Sequence, residues 1–172
     1  MSSQLLIAYT TKNGSTKEVA EAIAQTLGGE GLESKVLNLR QVDSLAGYRA
    51  IVIGAPFYYG AWSKDALAFI EKHRRELESL PVALFALGPS SEKGEELRKA
   101  CEHFRQVLVN SVTLKPFAAE VFGGRFDPTK LGLAEKLVAC LPACPLHGLP
   151  ASDARDWKAI EAWAKAVAEG LR

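Results

Sequence analysis

The sequence predicts a doubly wound α/β sandwich of three layers: a five-stranded parallel sheet in the order 2-1-3-4-5, with helices on both faces. Three observations predict it. Short runs that are apolar at almost every position recur along the chain, as strands covered on both faces require. Segments of helical period alternate with them, which demands right-handed crossovers. The first and third runs each lead into an unusual turn, at the place where sheets of this kind bind ligands.

The first strand is residues 5–8, followed by the hydroxyl-rich turn YTTKNGST of residues 9–16. Val19, Ile23 and Leu27, with Ala20 and Ala24 beside them, form one stripe of the first helix. Residues 34–39 are a more polar second strand and residues 50–55 the third. Ala66, Leu67, Phe69 and Ile70 begin the second helix, and residues 82–87 are the fourth strand. Leu97, Ala100, Cys101, Phe104 and Leu108 mark the third helix, and residues 117–122 the fifth strand. Trp157, Ile160, Ala164, Val167 and Leu171 mark the last helix. Residues 127–150 are too long for an ordinary connection. This insertion is expected to hold a short helix at 129–141 and an irregular, proline-rich return. Residues 1–172 are read as one domain.

Composition narrows the function. The chain carries 21 basic and 20 acidic residues, a net charge of +1, so it has no electrostatic case for a nucleic-acid partner. It also lacks the acidity expected of a carrier that docks on basic redox proteins. Cys101, Cys140 and Cys144 are too few and too irregular for a disulfide framework, and His147 does not complete a metal site with them. No metal is expected, and the thiols read as buried or partly buried. No apolar stretch reaches the roughly 18 residues of a spanning helix, and no leader is visible, so a cytoplasmic location is expected.

After the first strand the chain reads Thr11, Lys12, Asn13, Gly14, Ser15, Thr16. A glycine there allows close backbone approach, and a helix N-terminus offers unpaired N–H groups to an anion. The same residues have a purely structural reading: Asn-Gly is a turn dipeptide, and Ser15 with Glu18 spells a capping box. Neither the dinucleotide fingerprint nor the nucleotide P-loop is present. After the third strand come Pro56, Phe57, Tyr58, Tyr59, Gly60 and Trp62, an aromatic cluster suited to stacking on a flat ring. Its alternative use is to pack a hydrophobic loop or to make a contact in a homo-oligomer.

These two turns resemble the flavodoxin-like FMN-binding family. Thr-x-Asn-Gly-x-Thr is similar to its phosphate loop, with Asn13 in place of the usual middle threonine. With Lys12 before it, the loop is closer to the flavodoxin-type protoporphyrinogen oxidases. The segment Gly-Ala-x-x-x-Tyr-Gly, the insertion and Asp156-Trp157 continue the likeness.

The resemblance implies FMN as cofactor, its phosphate held by residues 11–16 and its ring flanked by Pro56, Phe57, Tyr58, Tyr59 and Gly60. Leu87, Gly88 and Pro89, after the fourth strand, are expected to border the pyrimidine edge. Arg125 is open to a substrate carboxylate or to solvent, and His73 and His103 are expected to be solvated. The implied activity is an FMN-dependent oxidation of a hydrophobic substrate, with a quinone as acceptor. With it goes one of two uses of the apolar insertion: peripheral contact with the inner membrane face through 129–150, or the shaping of an apolar substrate site. A flavodoxin-like electron carrier is the alternative, and a relative that has lost FMN is a third.

Overall fold

A computed structural model describes residues 4–58, 60–90, 94–111, 114–144 and 147–172. In chain order the elements are β1 (Leu5–Tyr9), α1 (Ser15–Gly29), β2 (Ser34–Asn38), β3 (Ala50–Tyr58), β4 (Ala61–Trp62), α2 (Lys64–Lys72), α3 (Arg74–Leu77), β5 (Val82–Leu87), α4 (Gly94–Ser111), β6 (Ala118–Phe122), β7 (Arg125–Phe126), α5 (Leu133–Ala139), β8 (Ser152–Asp153) and α6 (Trp157–Gly170). The parallel strands lie in the order β2-β1-β3-β5-β6, which is the predicted topology once the two-residue β4 is set aside.

Successive side chains of the central strands point to opposite faces, so each apolar run feeds two cores. Leu6, Ile51, Ile53 and Leu84 pack beneath Phe69, Ile70 and Phe104 from α2 and α4. Leu5, Ile7, Val52 and Phe85 pack beneath Val19, Ile23, Ile160 and Val167 from α1 and α6. The predicted stripes of both helices are therefore the buried ones, although Trp157, at the start of the last, is exposed.

Four local expectations are corrected. The third strand runs on through the aromatic segment to Tyr58, because Phe57 pairs with Trp62 of β4 across a turn that holds Gly60 at φ 77°. The capping box is absent: Gly14, at φ 90°, caps α1, and Glu18 is drawn elsewhere. His73 is buried at 3% exposure, not solvated. It lies where α2 gives way to α3, tilted against Phe69 with ring centroids 4.6 Å apart, and its Nδ1 lies 2.7 Å from Glu76 Oε2. Lastly, Cys140 is exposed, while Cys101 and Cys144 are partly buried as expected.

The insertion leaves and returns through one small antiparallel pair, β7 against β8, with Arg125 opposite Asp153. Charge holds this base to α1. Arg155, with a side chain only 3% exposed, reaches Asp153 at 2.6 Å and Glu18 at 2.7 Å, while Arg125 reaches Glu18 at 3.5 Å and Asp127 at 3.3 Å. Hydrogen bonding from Arg155 holds the Asp153 carboxyl below its usual pKa. A depressed carboxyl adds stability that is complete above about pH 4 and is lost as pH falls through the folded-state pKa. Arg155→Ala is expected to cost about 2 kcal/mol at neutral pH, the partners being half exposed, and to flatten the acid limb of a urea-midpoint-against-pH profile.

Candidate functional site

At the carboxyl ends of β1, β3 and β5 the structure opens a crevice of about 1000 Å³. Its floor and near edges come from the predicted turns: Lys12, Asn13 and Ser15; Phe57, Tyr58 and Gly60; Leu87, Gly88 and Pro89. Thus most of the sequence-predicted site residues meet at one place. Tyr59 lies outside the described residues. Pro56 is buried in β3, where its carbonyl accepts from Ser63 N–H at 3.1 Å. Trp62, read with the aromatic cluster suited to stacking on a flat ring, is instead a core residue at 2% exposure, with its indole N–H donated to Ala55 O at 3.3 Å and its ring T-shaped against Phe104.

The loop after β1 folds tightly into the N-terminus of α1. Thr11 Oγ1 accepts from Gly14 N–H at 2.9 Å, which folds the loop back on itself. Gly14 then enters α1 in a left-handed conformation, and a Cβ there would meet open space, so conformation rather than crowding selects glycine. The first N–H groups of α1 have no acceptor within the helix, and its positive dipole end points the same way. Thr16 Oγ1 is buried with no hydrogen-bond partner, an uncommon and costly state for a hydroxyl. A phosphate monoester supplies the acceptor that this first turn lacks, so the residues present fit the phosphate end of FMN.

Thr16→Val separates ligand binding from folding. Without ligand the variant is expected to be as stable as the parent, or up to about 1 kcal/mol more stable, because an unsatisfied buried hydroxyl is removed. Affinity for FMN is expected to fall about tenfold, read by titrating flavin fluorescence.

The third loop is pinned by backbone. Gly88 N–H donates to Phe122 O at 2.8 Å, Gly124 N–H to Pro89 O at 2.8 Å and Ala154 N–H to Gly124 O at 3.0 Å. A Cβ on Gly124 would lie 2.3 Å from Gly88 O, so the two loops touch only because that residue is glycine.

Residues that the sequence did not single out form the walls. On one side α4 presents Glu96, Lys99 and His103. His103 is exposed as expected, yet it borders the crevice. Phe126, Leu131, Leu149 and Pro150 of the insertion and its base line it as well. Spacing along α4 was the available signal: 96, 99 and 103 fall on one helical face. Arg125 also borders the crevice, already facing Glu18 and Asp127.

The insertion is fastened to the phosphate loop. Lys12 forms an ion pair with Glu135 of α5, and this bond, with the Gly132 N–H, holds the Glu135 carboxyl below its ordinary pKa. With its amide turned to satisfy both ends, Asn13 donates to Lys130 O at 3.2 Å. Among the described residues no cluster of His, Cys, Asp or Glu is arranged to hold a metal, and no helix is long and apolar enough to cross a membrane.

Known proteins place this geometry. Flavodoxin 2 from Bacillus cereus superposes with a TM-score of 0.59 at 20% identity, over 97% of this chain and 99% of that one. Protoporphyrinogen IX dehydrogenase [quinone] from Escherichia coli (strain K12) is 29% identical over 109 residues, which is 62% of this chain and 60% of that protein. A protein of the same name from Leishmania major is 26% identical over 126 residues, 72% of this chain and 54% of the other. The chain therefore spans only a little over half the length of the curated relatives it matches. The family model described as Flavodoxin domain matches residues 6–141, well over half of the sequence. The chain belongs to the flavodoxin domain family, and its cofactor is FMN.

Proposed function

We propose that the protein is an FMN-dependent oxidoreductase of the protoporphyrinogen IX dehydrogenase type, which oxidises a hydrophobic, reduced ring compound and delivers the electrons to a quinone. The relatives from Escherichia coli and Leishmania major carry that name. Bound FMN supplies the redox chemistry, taking an electron pair from substrate and yielding it to an acceptor.

The chain's own residues bind and orient. Thr11, Lys12, Asn13, Gly14, Ser15 and Thr16 hold the phosphate through backbone N–H groups and hydroxyls, with the Lys12 ammonium close by. Phe57, Tyr58 and Gly60 flank the ring from β3, with Pro56 fixing the backbone beneath them. Leu87, Gly88 and Pro89 border its polar edge with backbone groups, and Tyr59, between Tyr58 and Gly60 in the sequence, is assigned to the aromatic loop with them. No side chain is assigned a covalent role.

The observation that carries the reading is the second wall. A carrier needs its flavin edge open to a partner protein, whereas here Phe126, Leu131, Leu149 and Pro150 line the crevice together with Glu96, Lys99 and His103 of α4. That makes a pocket for a small apolar molecule beside the cofactor loops. The near-neutral net charge favours the same choice over a carrier. Anaerobic mixing of the FMN-loaded protein with protoporphyrinogen IX is expected to bleach the flavin absorbance within the mixing time of a stopped-flow instrument and to generate porphyrin fluorescence. A flavin that stays oxidised defeats the enzymatic reading and leaves the carrier.

A further inference from the structure

Lys12 is the one charged residue in the turn of residues 9–16, and it already has a partner. Its ammonium pairs with Glu135 of α5, which lies 123 positions along the chain and is the one acidic residue between positions 128 and 150. Both residues line the crevice. The Glu135 carboxylate is steadied from behind, its second oxygen accepting from Gly132 N–H at 3.0 Å. The insertion therefore brings a single, fixed negative charge to the loop assigned to the cofactor phosphate. As a staple the pair is weak: the lysine and glutamate side chains are 57% and 30% exposed, and ion pairs so open add little to stability. A fixed carboxylate is also a poor neighbour for an arriving phosphate, because like charges repel most where water is partly excluded.

We propose that Glu135 is a specificity-determining residue for the cofactor: its carboxylate stands in for the phosphate on Lys12 and is displaced when FMN binds. A phosphate monoester carries a charge of about −1.5 to −2 near neutral pH and three acceptor oxygens, so it out-competes a single carboxylate for the ammonium. Lysine suits the exchange, being a point charge on a flexible stem that can swing from one partner to the other. Once Lys12 has turned, Glu135 faces an anion, and the loop holds the insertion through the bond from Asn13 to Lys130 O. Leu131 lies between these two anchors and lines the crevice, so the exchange loosens part of the apolar wall when the cofactor is seated. The proposal rests on the assignment of the phosphate to residues 11–16, and the test separates the two.

Affinities for FMN and for riboflavin are measured on the full-length, flavin-free protein by fluorescence titration at low and high salt. In Glu135→Gln the side-chain oxygen still accepts from Gly132 N–H, and only the charge is lost. This variant is expected to bind FMN about fivefold to tenfold more tightly than the parent at low salt, a gain that shrinks as salt is raised, with riboflavin unchanged. Lys12→Gln is expected to weaken FMN about tenfold and to leave riboflavin unchanged. Hydrogen exchange gives the second readout. Amides of residues 133–139 should exchange several-fold faster in the FMN-loaded parent than in the riboflavin-loaded parent, and equally fast with either flavin in Glu135→Gln. An unchanged urea midpoint shows that the variant is folded. Weaker FMN binding by Glu135→Gln overturns the proposal, since Lys12 would then bridge carboxylate and phosphate together. Unchanged binding overturns it too and leaves a surface tie, as does identical exchange with the two flavins. Should Thr16→Val and Lys12→Gln both keep the parent's preference for FMN over riboflavin, the phosphate assignment falls and the proposal with it. Should they lose that preference while Glu135→Gln changes nothing, the proposal alone falls.

Discussion

Gly54→Ala is expected to lower the unfolding free energy by about 3 kcal/mol or more, moving the urea midpoint down by over ~1 M. Gly54 sits in the middle of β3, beside Tyr9 of β1 and Phe85 of β5. A Cβ there would lie 2.0 Å from the tip of the Phe85 ring. The ring has nowhere to go. It is fully buried, 6.4 Å from Phe122 and 6.1 Å from Trp163 between centroids, with those two rings edge to face at 5.7 Å. Moving Phe85 means moving the contact between the sheet and α6. An unchanged midpoint would show that the cluster repacks freely, contrary to the close packing that protein cores display.

Gly14→Val is expected to act mainly on the ligand. A β-branched residue at φ 90° costs roughly 1–3 kcal/mol of strain, and no neighbouring atom lies within 4 Å to add a clash. The chain relieves that strain by reshaping the loop, which misdirects the N–H groups at the start of α1. At ~1.5–3 kcal/mol for each charge-assisted hydrogen bond, losing two of them lowers FMN affinity at least about 100-fold. Riboflavin, which lacks the phosphate, is the control. Its affinity should barely change, so the variant loses the preference for FMN over riboflavin. A parallel loss for both ligands would mean that the turn organises the whole crevice rather than the phosphate end.

The contrast between these glycines shows what sequence can and cannot convey. Gly14 was legible because it sits among hydroxyls between an apolar run and a helical stripe. Gly54 was not, because its role is a ring approaching from a strand 31 positions away in the chain. The parallel strands were legible for a physical reason: burial on both faces removes polar residues from β1, β3 and β5 alike. The pairs β3–β4 and β7–β8 involve strands of two residues, too short to carry a period.

Long-range charge defeated the local rules at α1. Ser15-x-x-Glu18 has the spelling of a capping box, yet Glu18 answers to Arg125 and Arg155, more than 100 residues away. His73 misled similarly. Its neighbours in sequence are charged, but the junction of α2 and α3 turns its ring inward to Phe69, and the hydrogen bond from His73 lowers the pKa of Glu76. In the crevice, the loops proposed for the cofactor stand out by composition, whereas the wall residues Glu96, Lys99 and His103 look like any solvated helix face.

The paired strands at the base of the insertion have a consequence for how such proteins diverge. Because Arg125 and Asp153 stand opposite each other, the segment between them leaves and returns at one place, tied to the remainder through Lys12–Glu135 and the Asn13–Lys130 bond. A tight hairpin turn could bridge the gap and leave both cores untouched. Gain or loss of some two dozen residues at this one point would convert a walled vessel into an open-edged shuttle, or the reverse, without any change in the sheet that carries the flavin.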